Sequence, residues 1–437
     1  MSVTMRFVAL AAGGCLLVAL AHPFGLSLHA FFLANTAAFG LLLVDMLVTP
    51  SPDRIQVSRE LDGNLYFRAE NVVRFLVKNE SAHSLRIEAK EDANRYFRVT
   101  DGSGLLRAVE PGLQQVFSYE TLPTKRGSFL FEAVYIRYAG VLGLCRRHAR
   151  LPAPMEYKVY PDVRDLGKYR LLAQRNRHLP AGDSSVRHAG LGHEFESLRP
   201  YVEGDDYRAI NWQATAREMR PVVNTFRIER SQPVMILVDM GRPMSYRVRG
   251  FSKLDHAVGA AVILADIVNS QGDRAGAAVF GRGLSAYVPP GQGPLHRNRL
   301  LETLYKIEPD RDTSDFQGAC KALCDRQKRR SLVFIFTDFE LMEEGEELAR
   351  NIGWLKKKHL PVLVFMKNEE LARIAAKSLP EKSGPTYERT LRDTAGAALE
   401  ERREVFRRLA ALGVPSVECP PEDFALAAVN RYLMLRR

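Results

Sequence analysis

Asp205 and Asp206 stand side by side in a stretch crowded with guanidinium groups, Arg199, Arg208 and Arg217. Paired carboxylates are residue types that share acid and base work, so a hydrolytic dyad is one reading. The reading we prefer is an interdomain clasp. In it the arginines make two-point ion pairs to the carboxylates, Gly204 opens the turn, and Trp212 packs into an interface. A second pair, Asp239 and Asp338, is distant in sequence, but each closes an apolar run, PVMILVD and SLVFIFTD. Such runs are strands buried on both faces, and ligands of α/β sheets gather at the carboxyl ends of the strands.

Other arrangements fall short of a site. His193-Glu194 begins a zinc-protease motif, but Ser197 occupies the position of the second histidine. Gly281-Arg282-Gly283 and the 289–294 loop lack the lysine and spacing of a phosphate-binding loop. Cys320 and Cys324 lie one helical turn apart; the preferred reading is two small buried residues in a reducing compartment rather than a thiol pair. No nucleophile has an adjacent base, so the expectation is a protein that is not an enzyme.

The elements that must position the strand-end aspartates alternate regularly over 231–437. Buried strands at Pro233–Asp239, Arg274–Phe280, Ser331–Asp338 and Leu360–Met366 and a short one at Pro415–Cys419 alternate with helices. The helices are placed near 253–270, 295–307, 316–329, 343–358, 391–412 and 421–435. Apolar runs between amphipathic helices make a mostly parallel sheet covered on both faces. Over 51–161 the pattern changes to short β-branched and aromatic segments separated by turns such as Asp62-Gly63 and Pro111-Gly112, which predicts an antiparallel β-sandwich of about seven strands. Residues 162–230 are assigned to a region linking the two.

Residues 1–50 hold two apolar runs, Phe7–Ala21 and Leu26–Val48, without lysine or arginine and joined by His22-Pro23-Phe24-Gly25. The second is long enough to cross a hydrocarbon core of ~30 Å at ~1.5 Å per residue, and the pair reads as a transmembrane helical hairpin. A cleaved signal peptide is the rival for the first run, weakened by the second. Arg6 before the hairpin and Arg54, Arg59 and Arg68 after it put both ends in the cytoplasm. The expected location is therefore the cytoplasmic (inner) membrane, multi-pass, with the soluble domains inside. Asp45, near the end of the second run, is expected at headgroup level. The net charge of +11 carries no interleaved aromatic or recognition motif for nucleic acid, which leaves anionic lipid or simple solubility.

The run Gly192, Glu194, Phe195, Leu198, Arg199, Tyr201, Gly204, Asp205, Asp206, Arg208, Ile210, Trp212, Thr215, Ala216, Arg217 resembles the signature of the domain-of-unknown-function-58 family. The order of elements over 231–437 resembles the von Willebrand factor type A domain, a Rossmann-like α/β fold. That resemblance implies a metal-ion-dependent adhesion site with Asp239, Thr313 and Asp338 as ligands. Its two serines are replaced by Gly241 and Pro243, so two hard oxygen ligands are missing. A weakened Mg²⁺ site is one expectation. A metal-free remnant, in which the carboxylates cap helices or pair with Arg242, is the preferred one.

What the family resemblance further implies is a membrane-anchored, non-enzymatic adaptor. Its partner would be a MoxR-type AAA+ ATPase, with the pair assisting assembly or maturation of other proteins. A purely structural membrane scaffold and a hydrolase using Asp205 and Asp206 are the alternatives.

Overall fold

A computed structural model describes residues 2–24, 27–59, 64–91, 94–101, 105–162, 166–177, 193–202, 210–228, 231–377 and 386–436. They fall into two compact units, Met1–Asp162 and Val163–Arg437.

The first unit opens with helices Met5–Ala21 and Ser27–Val48, each apolar around its whole circumference. Both are long and apolar enough to cross a membrane. They lie against each other through small residues: a Cβ added to Gly14 would sit 3.3 Å from the Ala34 Cβ.

Asp45 does not reach out by snorkelling: it is fully buried within the protein. Its carboxylate accepts from the backbone N–H of Leu142 (2.7 Å), Leu144 (2.7 Å) and Cys145 (2.8 Å). A carboxylate on the last turn of a helix faces the negative end of the helix dipole, and three converging N–H groups offset that. The same turn meets the base of the first helix, where Thr4 donates its hydroxyl to the Gly143 carbonyl at 2.6 Å and its N–H to Leu144 at 2.9 Å. Gly140 must be glycine here, because a Cβ would lie 2.5–2.7 Å from the Asp45 carboxylate.

Beyond the helices the unit is built from two mainly antiparallel sheets. One has the order Ile55–Arg59, Asn71–Asn79, Gln114–Pro123, Phe97–Asp101. The other runs Ser2–Val3, Cys145–Tyr160, Gly127–Ala139, Leu85–Glu91, Leu105–Val109, with Leu65–Tyr66 joining Cys145–Tyr160 in parallel. Alternation such as buried-exposed over Asn71–Asn79 turns one face of each sheet inward. The inner faces meet through Phe97, edge-on to Phe129 and Phe131 at 5.1 and 4.9 Å. An ion pair between Arg59 and Glu91 is buried between the sheets, and Tyr119 donates to Glu91. The described residues of this unit hold ten strands rather than about seven, because the first residues of the chain add one and short strands form at Leu65–Tyr66 and Leu105–Val109.

The second unit centres on a six-stranded mixed sheet, order Leu284–Gly291, Arg274–Phe280, Pro233–Asp239, Leu332–Phe336, Leu360–Met366, Ser416–Cys419. All neighbours are parallel except Leu284–Gly291, which returns antiparallel on Arg274–Phe280. Sequence reading treats 289–294 as a loop, but Pro289 and Pro290 lie in this strand, where proline is tolerated because the strand is an edge. Pro233–Asp239 is buried at every position, as expected of a central strand with helices on both faces.

One face is covered mainly by helices Lys253–Ser270 and Phe424–Leu435, the other by Phe316–Arg326, Met342–Leu355 and the long Thr386–Ala411. The 162–230 stretch is more than a linker: helix Leu166–Arg177 is fixed to Lys253–Ser270 by a two-point Arg170–Asp266 pair at 2.8 and 2.9 Å. Strands His193–Pro200 and Val222–Ile228 form an antiparallel pair of their own.

Candidate functional site

Asp239 and Asp338 come together at the carboxyl end of the central strands, and both are fully buried. Asp239 closes its strand. Its Oδ1 accepts the Gly241 N–H at 2.8 Å and the Ser314 hydroxyl, and its Oδ2 accepts the Thr337 hydroxyl at 2.5 Å. Burial pushes its carboxyl up to about 6, and these three donors oppose the rise without cancelling it. Gly241 is small for a reason: a Cβ there would collide with the Ser314 hydroxyl.

Asp338 is held differently, by charge. Its Oδ2 takes the Lys253 ammonium at 2.7 Å, and its Oδ1 takes the Arg402 guanidinium at 2.7 Å and the Phe339 N–H at 2.9 Å. Lys253 is the first residue of its helix, the positive end, where a buried lysine is unfavourable unless a carboxylate faces it. The Ser252 and Asp255 capping box fixes that helix start. Arg402 also donates to Glu418 at 2.6 Å and to the Met366 carbonyl at 3.2 Å, and lies over the Phe339 ring at 4.8 Å. Burial works to discharge this guanidinium, and Asp338 and Glu418 more than offset that, leaving it above its ordinary value.

Thr313, expected as the distant ligand, is exposed, and its neighbour Ser314 is the residue that reaches Asp239. Arg242, expected to pair with the aspartates, instead pairs with Glu344 at 3.0 Å. A divalent cation at this place needs free carboxylate lone pairs and a cavity free of other cations. The Lys253 ammonium stands directly on Asp338, and both Asp239 oxygens are engaged by donors. The residues present therefore do not fit the metal that the adhesion-site pattern implies.

Beside this cluster lies a cleft of about 700 Å³. It is lined by charges of both signs, among them Arg247, Arg249, Arg373, Glu369 and Glu401, with Leu371 and Met342 between them.

Of the signature residues, Gly192, Gly204, Asp205, Asp206 and Arg208 lie outside the described residues. Glu194 sits on strand His193–Pro200 in register with Arg227. Arg199 is on the same strand, its guanidinium 3.3 Å from the Pro200 carbonyl. Thr215 accepts the Val222 N–H at 3.1 Å, which ties the short helix Trp212–Glu218 to strand Val222–Ile228, and Arg217 is on the last turn of that helix. Trp212, expected at an interface, is 70% exposed.

Residues 197–397 match the model of a family described as protein of unknown function DUF58. Over that region the chain is similar to the DUF58 family. The match takes in most of the signature run and the strands that carry Asp239 and Asp338. An uncharacterized protein of Mycobacterium tuberculosis, Rv1480, is 26% identical over 256 residues, covering 57% of this chain and 81% of its own length. The uncharacterized YeaD of Bacillus subtilis is 25% identical over 219 residues, 50% of this chain and 51% of its own. Among solved structures, an aerotolerance-related membrane protein from Bacteroides fragilis matches with 14% identity and a TM-score of 0.31, over 47% of this chain and 100% of that one. A likeness at that level carries no argument.

Lys253, Arg402, Ser314 and Thr337 are the cluster members that sequence reading misses. A signal for Arg402 is present. It falls on the stripe Ala395, Arg402, Val405, Leu409, otherwise apolar and buried, and a charge on such a stripe implies a buried counter-charge.

Proposed function

We propose that this chain is a membrane-anchored adaptor without catalytic activity, and that the carboxyl end of its mixed sheet docks a protein partner. The observation that carries the reading is how the strand-end carboxylates are engaged. Each oxygen of Asp239 and Asp338 already accepts from a donor within the chain, and Asp338 is ion-paired to Lys253 and Arg402, which suits structural groups better than a base, nucleophile or ligand. A cluster fixed by internal ion pairs and hydrogen bonds beside a cleft of mixed charge suits a polypeptide surface better than a small apolar ligand.

In this reading the second unit is a von Willebrand factor type A-like domain whose metal role is taken over by Lys253 and Arg402. The hairpin spans the cytoplasmic membrane twice, and the soluble units face the cytoplasm. The partner is a MoxR-type AAA+ ATPase, which supplies the energy in the assembly or maturation of other proteins.

The test is to purify the full chain in mild detergent from its own cells and identify co-purifying proteins by mass spectrometry, with Arg247→Glu/Arg373→Glu as the cleft variant. Recovery of the ATPase with wild type and not with the variant supports the reading. Its absence from both favours a structural scaffold. A hydrolytic activity lost in Asp205→Asn or Asp206→Asn overturns the non-enzymatic assignment.

A further inference from the structure

The turn Gly140–Leu144 is wedged between the bases of the two apolar helices, held by Asp45 on one side and Thr4 on the other. Its position relative to a membrane is therefore set by the helices, and this inference rests on their crossing one. At the tip, Val141 and Leu142 are 43% and 46% exposed although Leu144 and Cys145 beside them are buried. Apolar side chains at the tip of a turn that sits at the end of a spanning helix lie at the boundary of headgroups and acyl chains.

Around the tip the charges are basic. The Arg6 guanidinium lies against Gly143, where a Cβ would come within 2.8 Å of it, and Gly143 is in the left-handed region at φ +74°. Arg146 is exposed at the second position of strand Cys145–Tyr160, and Arg147 donates to the Met46 carbonyl at 3.1 Å. Among the described residues no carboxylate pairs with Arg6 or Arg146. Asp45 is enclosed by its three N–H donors, and Arg137 and Glu88 are 3.5 Å apart farther along the sheet.

Ser2–Val3 pairs antiparallel with this strand just before the first helix begins, so the strand leads away from the membrane. At ~3.3 Å per residue Arg146 and Arg147 lie within ~7 Å of Cys145, inside a headgroup layer of about 5–8 Å. His148 stands at its edge, its imidazole held below the ordinary value by burial and then by the charges of Arg137 and Arg146.

We propose that this turn and the basic residues beside it bind an anionic phospholipid headgroup. Arg6 and Arg146 take the phosphodiester, and Val141 and Leu142 reach the upper acyl chain. Two unpaired guanidinium groups at one headgroup suit a lipid of net negative charge over a zwitterionic one, by roughly 5-fold for each arginine.

The full chain is first tested for resistance to alkaline carbonate extraction. If it is released, the membrane reading fails and this proposal with it. An integral chain is then incubated in detergent with equal mole fractions of phosphatidylglycerol and phosphatidylcholine, and the lipids retained are counted by native mass spectrometry. The expected result is enrichment of phosphatidylglycerol by about 10-fold or more, falling towards equality in Arg6→Gln/Arg146→Gln. Leu142→Ser is expected to lower retention of both lipids and leave their ratio unchanged. Amide exchange at Leu142 and Cys145 reports that the Asp45 contacts persist in each variant, and Arg146→Gln alone changes only an exposed side chain. Equal retention of the two lipids by wild type overturns the proposal, as does an unaltered ratio in the double variant. Displacement of phosphatidylglycerol by millimolar inorganic phosphate would make the site one for free anions rather than lipid, and also overturns it.

Discussion

Replacing Asp239 by asparagine separates the charge of this side chain from its shape. Asparagine keeps one acceptor oxygen for Gly241 and Ser314, and its amide faces the Thr337 hydroxyl, which can accept as well as donate. The wild-type carboxyl titrates at about 6 when folded against an ordinary value of 3.8. Because the folded value is raised, the native state holds its proton more tightly than the unfolded chain. The resulting stability is fully present below pH 3.8 and is lost as pH rises through 6. At 1.36 kcal/mol per unit the ionised side chain costs the fold about 3 kcal/mol above pH 7.

The asparagine side chain carries no such cost, so the stability of Asp239→Asn minus wild type should grow by about 2.5 kcal/mol between pH 4 and pH 7.5. For a unit of this size that is a difference in Tm of about 5 °C or more. The assay is thermal unfolding of both full chains in one detergent across that range; carboxylates elsewhere titrate in both and cancel. A difference that stays constant with pH would refute the assignment of a buried, uncompensated charge to Asp239. A variant destabilised only when Mg²⁺ is added would show instead that the carboxylate serves a metal.

The remaining expectations concern the other charges. Lys253→Met and Arg402→Met each leave Asp338 buried with one cation fewer, and each should cost about 3–5 kcal/mol, read as a fall in Tm. Asp45→Ala strands three N–H groups and should lower stability by about 3 kcal/mol or more, with amide exchange at Leu142, Leu144 and Cys145 accelerated before that of the sheets. Burial pushes the Cys320 thiol up to about 12, so maleimide should modify it only at the rate of unfolding, while a native-state reaction would contradict the packing of helix Phe316–Arg326.

The central strands were legible because each is a nearly unbroken apolar run, and the helix at Lys253–Ser270 because its cap and its periodicity agree. The edge strand Leu284–Gly291 and the short helix Glu369–Ala375 were not, since neither buries a long apolar face. In the cluster, the aspartates could be picked out by their place at strand ends. Their partners could not be assigned from spacing: Lys253 is 85 residues from Asp338 and Arg402 is 64, and only the closed sheet brings them together. Asp45 misled for a related reason. Its three partners are backbone amides about a hundred residues away, and main-chain donors leave no trace in residue identity.

The bonds around Asp45 also have a mechanical meaning. Helices adjust their tilt to the thickness of the bilayer they cross. A flexible joint would absorb such a change. Here the second helix ends in three hydrogen bonds to the sheet-forming chain, and the first is preceded by a strand of that same sheet. In the membrane-anchored reading proposed above, a change of tilt is thus delivered to the sheets as a rotation, so the first unit responds as one piece with its helices.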